Sequence, residues 1–204
     1  MGPKAAGVAK SADREAEAAA RPLRADALRN RASILQAAEA AFATDGIEVP
    51  VDVIAEKACV GVGTLYRHFP TKEKLCEAIL LERIASLAAH ARTLADADDP
   101  GEAFFGFLEH FVSEGCAKRD LLVAVSGAGV EFEAAVVPIK DELRDAIDVL
   151  LGRAQAVGAV RPDVTAAVVM TLAGATCQAS AHQGNAPPAE VLTVVFDGLR
   201  ALPA

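Results

Sequence analysis

Seven residues, Val62 to His68, stand between two chain breaks, Cys59-Val60-Gly61 and Phe69-Pro70-Thr71. That is room for a helix of two turns and nothing larger. Upstream, Pro50 opens a segment in which Ile54, Ala55 and Ala58 share one helical face, since proline at the first helical position sacrifices no hydrogen bond. Downstream, Thr71 is placed as an N-cap for a long helix from Lys72 to about Leu94. Before both, Ile34, Leu35, Ala38, Ala41 and Phe42 recur at helical spacing, and Gly46 stands where a left-handed glycine would end that helix.

The rest of the chain agrees with helices throughout. It is 204 residues long and 52% apolar, with only 4% aromatic residues and no Trp. Ala and Leu dominate, and they lose little entropy in a helix. The expected fold class is all-α. Beyond a loop at residues 95–101, helices are expected at about 101–117, 120–127, 131–156, 163–183 and 188–202, with Pro138 kinking or dividing the third of these. Residues 1–20 mix Gly, Pro, small residues and charges without an apolar stripe and read as a disordered tail. Residues 21–71 then form a small domain, the helix at 72–94 connects, and residues 72–204 form a larger one.

Charge separates the two parts. Residues 1–83 carry twelve Lys and Arg against twelve Asp and Glu, while residues 84–204 carry eight against sixteen, so the net −8 belongs to the second part. Residues 1–31 are locally basic, with seven cations to four anions. Cys59, Cys76, Cys116 and Cys177 form no CxxC pair, and His68, His90, His110 and His182 show no metal-ligand spacing, so no metal or cofactor is expected. No nucleophile motif or phosphate-binding glycine loop marks an enzyme. The uncharged run Val164–Ala181 is long enough to span a bilayer, but its three Thr, its Gln and its Ser favour burial in protein. A cytoplasmic location is expected, with no membrane association.

On a helical wheel Val62, Leu65 and Phe69 share a core face, and Gly63, Thr64, Arg67 and His68 lie opposite with Tyr66 on the border. A helix, a tight turn and a short helix bearing donors is a helix-turn-helix, whose second helix enters the DNA major groove amino end first. Gly63 admits the backbone close to DNA, and Thr64 reaches a base edge or phosphate. Arg67 can bond a base or phosphate in bidentate fashion, and Tyr66 and His68 suit phosphate oxygens. Lys72 opens the following helix, where free N–H groups already favour an anion. The alternatives are a helical ligand-binding protein, or a small enzyme, without a DNA-binding role.

Residues 25–80, centred on IAEKACVGVGTLYRHFPTKEKL, closely resemble the DNA-binding domain of TetR-family transcriptional regulators. The resemblance implies a homodimeric, ligand-responsive repressor acting on double-stranded operator DNA. In it Gly63, Thr64, Tyr66 and His68 match the recognition helix, Lys72 the phosphate-binding lysine, and Arg24, Arg29 and Arg31 the contacting arm. The chain departs from the family pattern with Cys59-Val60-Gly61 where Gly-Val-Ser is common, and with Pro50 where Thr or Ser is common. The carboxy-terminal helices are then expected to hold an unidentified, largely apolar effector in a pocket walled by Phe104, Phe107, Phe111, Leu121, Val125, Phe132, Val136 and Ile139. His110, Ser126 and Gln178 are the candidates for its polar groups. Residues 163–202 suit a dimer interface, through an uncharged small-residue helix and an apolar stripe along the last helix.

Overall fold

The computed structural model describes residues 5–117, 119–125, 127, 129–179 and 189–201, with side chains from Ala25 onward except at positions 117, 119, 120, 122 and 179. Its helices are α1 (Ala5–Asp45), α2 (Val51–Lys57), α3 (Val62–His68), α4 (Lys72–Thr93), α5 (Pro100–Ala117), α6 (Arg119–Ala124), α7 (Val130–Ala156), α8 (Ala166–Ala179) and α9 (Ala189–Leu199). Among the described residues no strand forms, and the sole bridge joins Val160 to Arg200. The all-α expectation is met. The chain divides into two compact units between Leu75 and Cys76, inside α4 rather than at its start.

Unit 1 is held by one face of α1 (Ile34, Leu35, Ala38, Ala41) buried against Ile54 and Ala55 of α2 and Leu65 of α3. Helix α1 ends at Asp45 because Gly46 turns left-handed, at φ +76°. Lys57 then ties the end of α2 back to Asp45 at 3.0 Å, and that hydrogen bond holds the Asp45 carboxyl below its ordinary range. Two expectations are corrected here. Helix α1 begins at Ala5, inside the segment expected to be a disordered tail; the same alanines that gave that segment no apolar stripe are the strongest helix formers. Pro50 is the N-cap of α2 and not its first residue; it is extended at φ −63° and ψ 145°, and offers only its carbonyl, to Val53 and Ile54.

Unit 2 is built on α5, which packs most closely with α8 and α7. Phe104, Phe107, Leu108 and Val112 of α5 meet Leu143, Ile147 and Leu150 of α7 and Val169 and Ala173 of α8 in one core. Asp99 caps α5 by accepting the Glu102 N–H at 2.9 Å, with Pro100 as the first helical residue. Arg153 of α7 secures the loop before α5, donating to the carbonyls of Ala95 and Ala97. Pro138 leaves α7 a single helix. No helix among the described residues is long and apolar enough to cross a membrane.

Candidate functional site

Helix α3 is anchored by Leu65 and Phe69, which are 1% and 3% exposed. Val62, expected to join them, is 37% exposed. It is the first residue of α3, and side chains tilt toward a helix's amino end, so its isopropyl group projects past the helix instead of over the core. The turn before α3 is tight because Cys59 adopts φ +55°, in the left-handed region. Gly61 caps α3 through its carbonyl, which accepts from Thr64 at 2.8 Å and Leu65 at 3.1 Å.

The outer face of α3 carries Gly63, Tyr66 and Arg67 exposed, with Thr64 and His68 half-buried. Tyr66 is 46% exposed, so its ring is not core. The Arg67 guanidinium lies along the helix, with Nε donating to the Gly63 carbonyl and Nη2 to the Thr64 hydroxyl, each at 3.1 Å. Arginine has five N–H donors and these bonds use two, so three remain for a ligand. Because Thr64 accepts from Arg67, its own hydroxyl proton is left to donate outward. The pair thus presents mostly donors, a surface fit for phosphate oxygens or the acceptor edge of guanine. A Cβ at Gly63 would meet nothing within 4 Å.

Lys72 begins α4 half-buried. Thr71 caps that helix as expected, its hydroxyl accepting the Lys74 N–H at 3.2 Å. The same hydroxyl bonds Glu73 and holds its carboxyl below the ordinary range. Lys72 and Lys74 outnumber Glu73 at this helix start, and the helix dipole adds to the positive potential. In the arm, Arg24 lies on α1 with its side chain outside the described ones. Arg29 pairs with Asp26, and Arg31 stacks over Phe69 at 5.1 Å from the ring centre.

A second feature lies wholly within unit 2. A partly open cavity of about 380 Å³ is bordered by α4, α5, α7 and α8 and is mainly apolar. Its walls are Leu80, Ile84 and Leu87 of α4, Phe111 and Gly115 of α5, Leu143 of α7, and Met170, Ala173, Gly174 and Cys177 of α8, with Arg83, Glu114, Lys140 and Gln178 as its polar groups. Of the expected wall only Phe111 lines it, and of the expected polar groups only Gln178. Phe104 and Phe107 are fully buried in the core, where Phe107 packs 5.9 Å from Phe111. His110 is exposed and edge-on to His90 at 4.9 Å. Leu121, Val125, Phe132 and Val136 are buried and Ile139 half-buried, and none of them lines this cavity. Ser126 lies outside the described residues. The α4 and α8 walls went unread, although Leu80, Ile84 and Leu87 stand at helical spacing and Ala173-Gly174 marks a place with room beside it.

Comparison with known proteins accords with both halves. Residues 34–79 match the family described as bacterial regulatory proteins, tetR family, and residues 99–201 match the C-terminal domain described as transcriptional regulator SbtR-like. The crystal structure of a TetR transcription regulatory protein from Mycobacterium vanbaalenii is 40% identical, with 88% of this chain and 100% of that one covered at a TM-score of 0.69. A TetR transcriptional regulator from Streptomyces coelicolor is 28% identical over 85% of this chain and 99% of its own, at a TM-score of 0.66. An HTH-type transcriptional regulator of Staphylococcus aureus strain USA300 is 33% identical over 75 residues, 36% of this chain. The chain thus spans only 40% of the length of that curated relative. With its donor-bearing second helix, its helical carboxy-terminal unit and matches to both, the chain belongs to the TetR family of DNA-binding transcriptional regulators, which are not enzymes.

Proposed function

We propose that the chain is a cytoplasmic repressor that binds a palindromic operator as a homodimer and is released when a small, largely apolar effector enters the cavity of unit 2. Helix α3 is the reading helix: Thr64 and Arg67 act at base edges, and Tyr66, His68 and Lys72 act at phosphates. The arm contributes as well. The exposed pair between Arg29 and Asp26 opens readily for a phosphate, because exposed ion pairs are worth only about 0–1 kcal/mol.

The observation that carries this reading is the outer face of α3, where a bare glycine with open space beyond it adjoins an outward-donating Thr64–Arg67 pair and an exposed tyrosine. Nothing in the packing of unit 1 asks for these residues. The test is fluorescence anisotropy on duplex sites selected from random DNA, at several salt concentrations. Lys72→Ala should weaken binding to every site and flatten the salt slope by about one unit, whereas Arg67→Ala should shift preference at particular base pairs by about 1–3 kcal/mol. Unchanged affinity in Lys72→Ala, Tyr66→Phe and Thr64→Ala alike, with the protein folded, would remove α3 as the reading helix.

A further inference from the structure

The geometry points to an effector with an apolar body and a single anionic head group, bound at Lys140; this rests on the effector reading of the unit 2 cavity. Three charged side chains line that cavity, and two of them satisfy each other: Arg83 meets Glu114 at 3.4 Å. Lys140 is left over, which gives the lining one net positive charge. It has no carboxylate partner among the described residues. Its own helix supplies none, because the positions three and four residues away are Val136, Val137, Leu143 and Arg144. The two acids directly after it on α7 are engaged elsewhere, Asp141 with Arg144 at 2.8 Å and Glu142 with Arg92 at 3.0 Å.

This isolation is notable in a region where residues 84–204 hold sixteen acidic side chains to eight basic ones. An unpaired cation beside an apolar cavity leaves its attraction for an anion unspent, and a carboxylate head would meet it while the ligand's body displaced water from Leu80, Ile84, Phe111 and Met170. The cavity volume lies within the range of small-molecule sites, roughly 300–1,000 Å³. A cationic ligand is disfavoured by the same charge count.

The test uses isothermal titration of the full chain with three probes that share one alkyl chain: decanoate, 1-decanol and decylamine. Decanoate should bind about three- to fivefold tighter than decanol, the worth of an ion pair at an exposed position, and decylamine should bind weakest. Lys140→Met, which keeps the apolar stem at an exposed position, should lower decanoate to the level of decanol, and Lys140→Arg should retain the preference. Equal affinity for the three probes, tighter binding of decylamine, or a decanoate preference that survives Lys140→Met overturns the anionic head and leaves the cavity as an apolar effector site. Binding of none overturns both.

Discussion

In α3 an alanine at position 63 would touch nothing within 4 Å, and glycine inside a helix is disfavoured relative to alanine by about 0.5–1 kcal/mol. Glycine here is therefore a cost to the fold, offset only by what approaches from outside. Gly63→Ala should raise the thermal midpoint slightly and weaken operator binding at least tenfold; a variant that is stabilised and still binds normally would show that no backbone approaches DNA there. Cys59 is the reverse case, a side chain in a conformation made for glycine. The left-handed region costs a non-glycine residue roughly 1–2 kcal/mol, and the greater freedom of glycine in the unfolded chain returns part of that. Cys59→Gly should thus stabilise by up to about 1 kcal/mol in chemical denaturation. It should also abolish the fast phase of labelling by a thiol reagent, since Cys59 is exposed while Cys76, Cys116 and Cys177 are buried. Burial, with Cys116 adjacent, pushes the Cys177 thiol up to about 12, so at neutral pH it offers almost no thiolate. A destabilised Gly variant would mean that the Cys59 side chain packs.

Among the elements, those closed by punctuation were legible and those defined by a neighbour were not. Gly46 after α1, Thr71 before α4 and the breaks around α3 lie in the sequence itself, and each appears where it was read. Most of the lining of the unit 2 cavity was not legible, because Phe104, Phe107 and Phe111 share a helical face, which reports that the face is covered but not by which helix or how closely. That closeness is set by small residues, and Gly115 of α5 shows how. A Cβ there would lie 2.7 Å from the Cys177 sulfur on α8, a sulfur that also bonds the Val112 carbonyl at 3.2 Å. It is buried and has one torsion with which to retreat. Gly115→Ala should therefore destabilise by about 1–2 kcal/mol through overpacking, despite its better helix propensity. In a Cys177→Ala background the obstruction is gone, and only an ordinary 3.9 Å contact to Cβ remains. There the same Gly115→Ala change should be neutral or stabilising. The reversal of sign in this double-mutant cycle, read by urea denaturation, separates contact from propensity; a loss of equal size in both backgrounds would place the cost in α5 alone.

For the whole molecule, the proposed homodimer needs a face on which two copies can meet, and unit 2 offers one. The outer face of α8 presents Ala167, Val168, Thr171 and Ala175, all exposed and uncharged, and α9 exposes Val191 and Val194, the latter by 72%. Leu192, Val195 and Phe196 turn the other side of α9 onto the core. Small residues let a second helix approach closely. The hydroxyls on these faces are already satisfied within their own helices, Thr171 donating to Ala167 at 2.8 Å and Thr193 to Ala189 at 2.9 Å, so covering them leaves no donor stranded. A second copy of the chain meeting this face along a two-fold axis would bury each valine twice, and a stable interface should cover well over about 1,000 Å². Val194→Lys sets two like charges near that axis while leaving the monomer core untouched. It should shift the species seen by light scattering at micromolar concentration from dimer to monomer without lowering helicity. Operator affinity should fall by several orders of magnitude, because two linked reading helices gain from effective concentration what one alone cannot. A single half-site should be bound weakly and equally by the two proteins. If wild type is monomeric under these conditions, or Val194→Lys remains a dimer with full affinity for the palindrome, the α8 and α9 face is not where the copies meet.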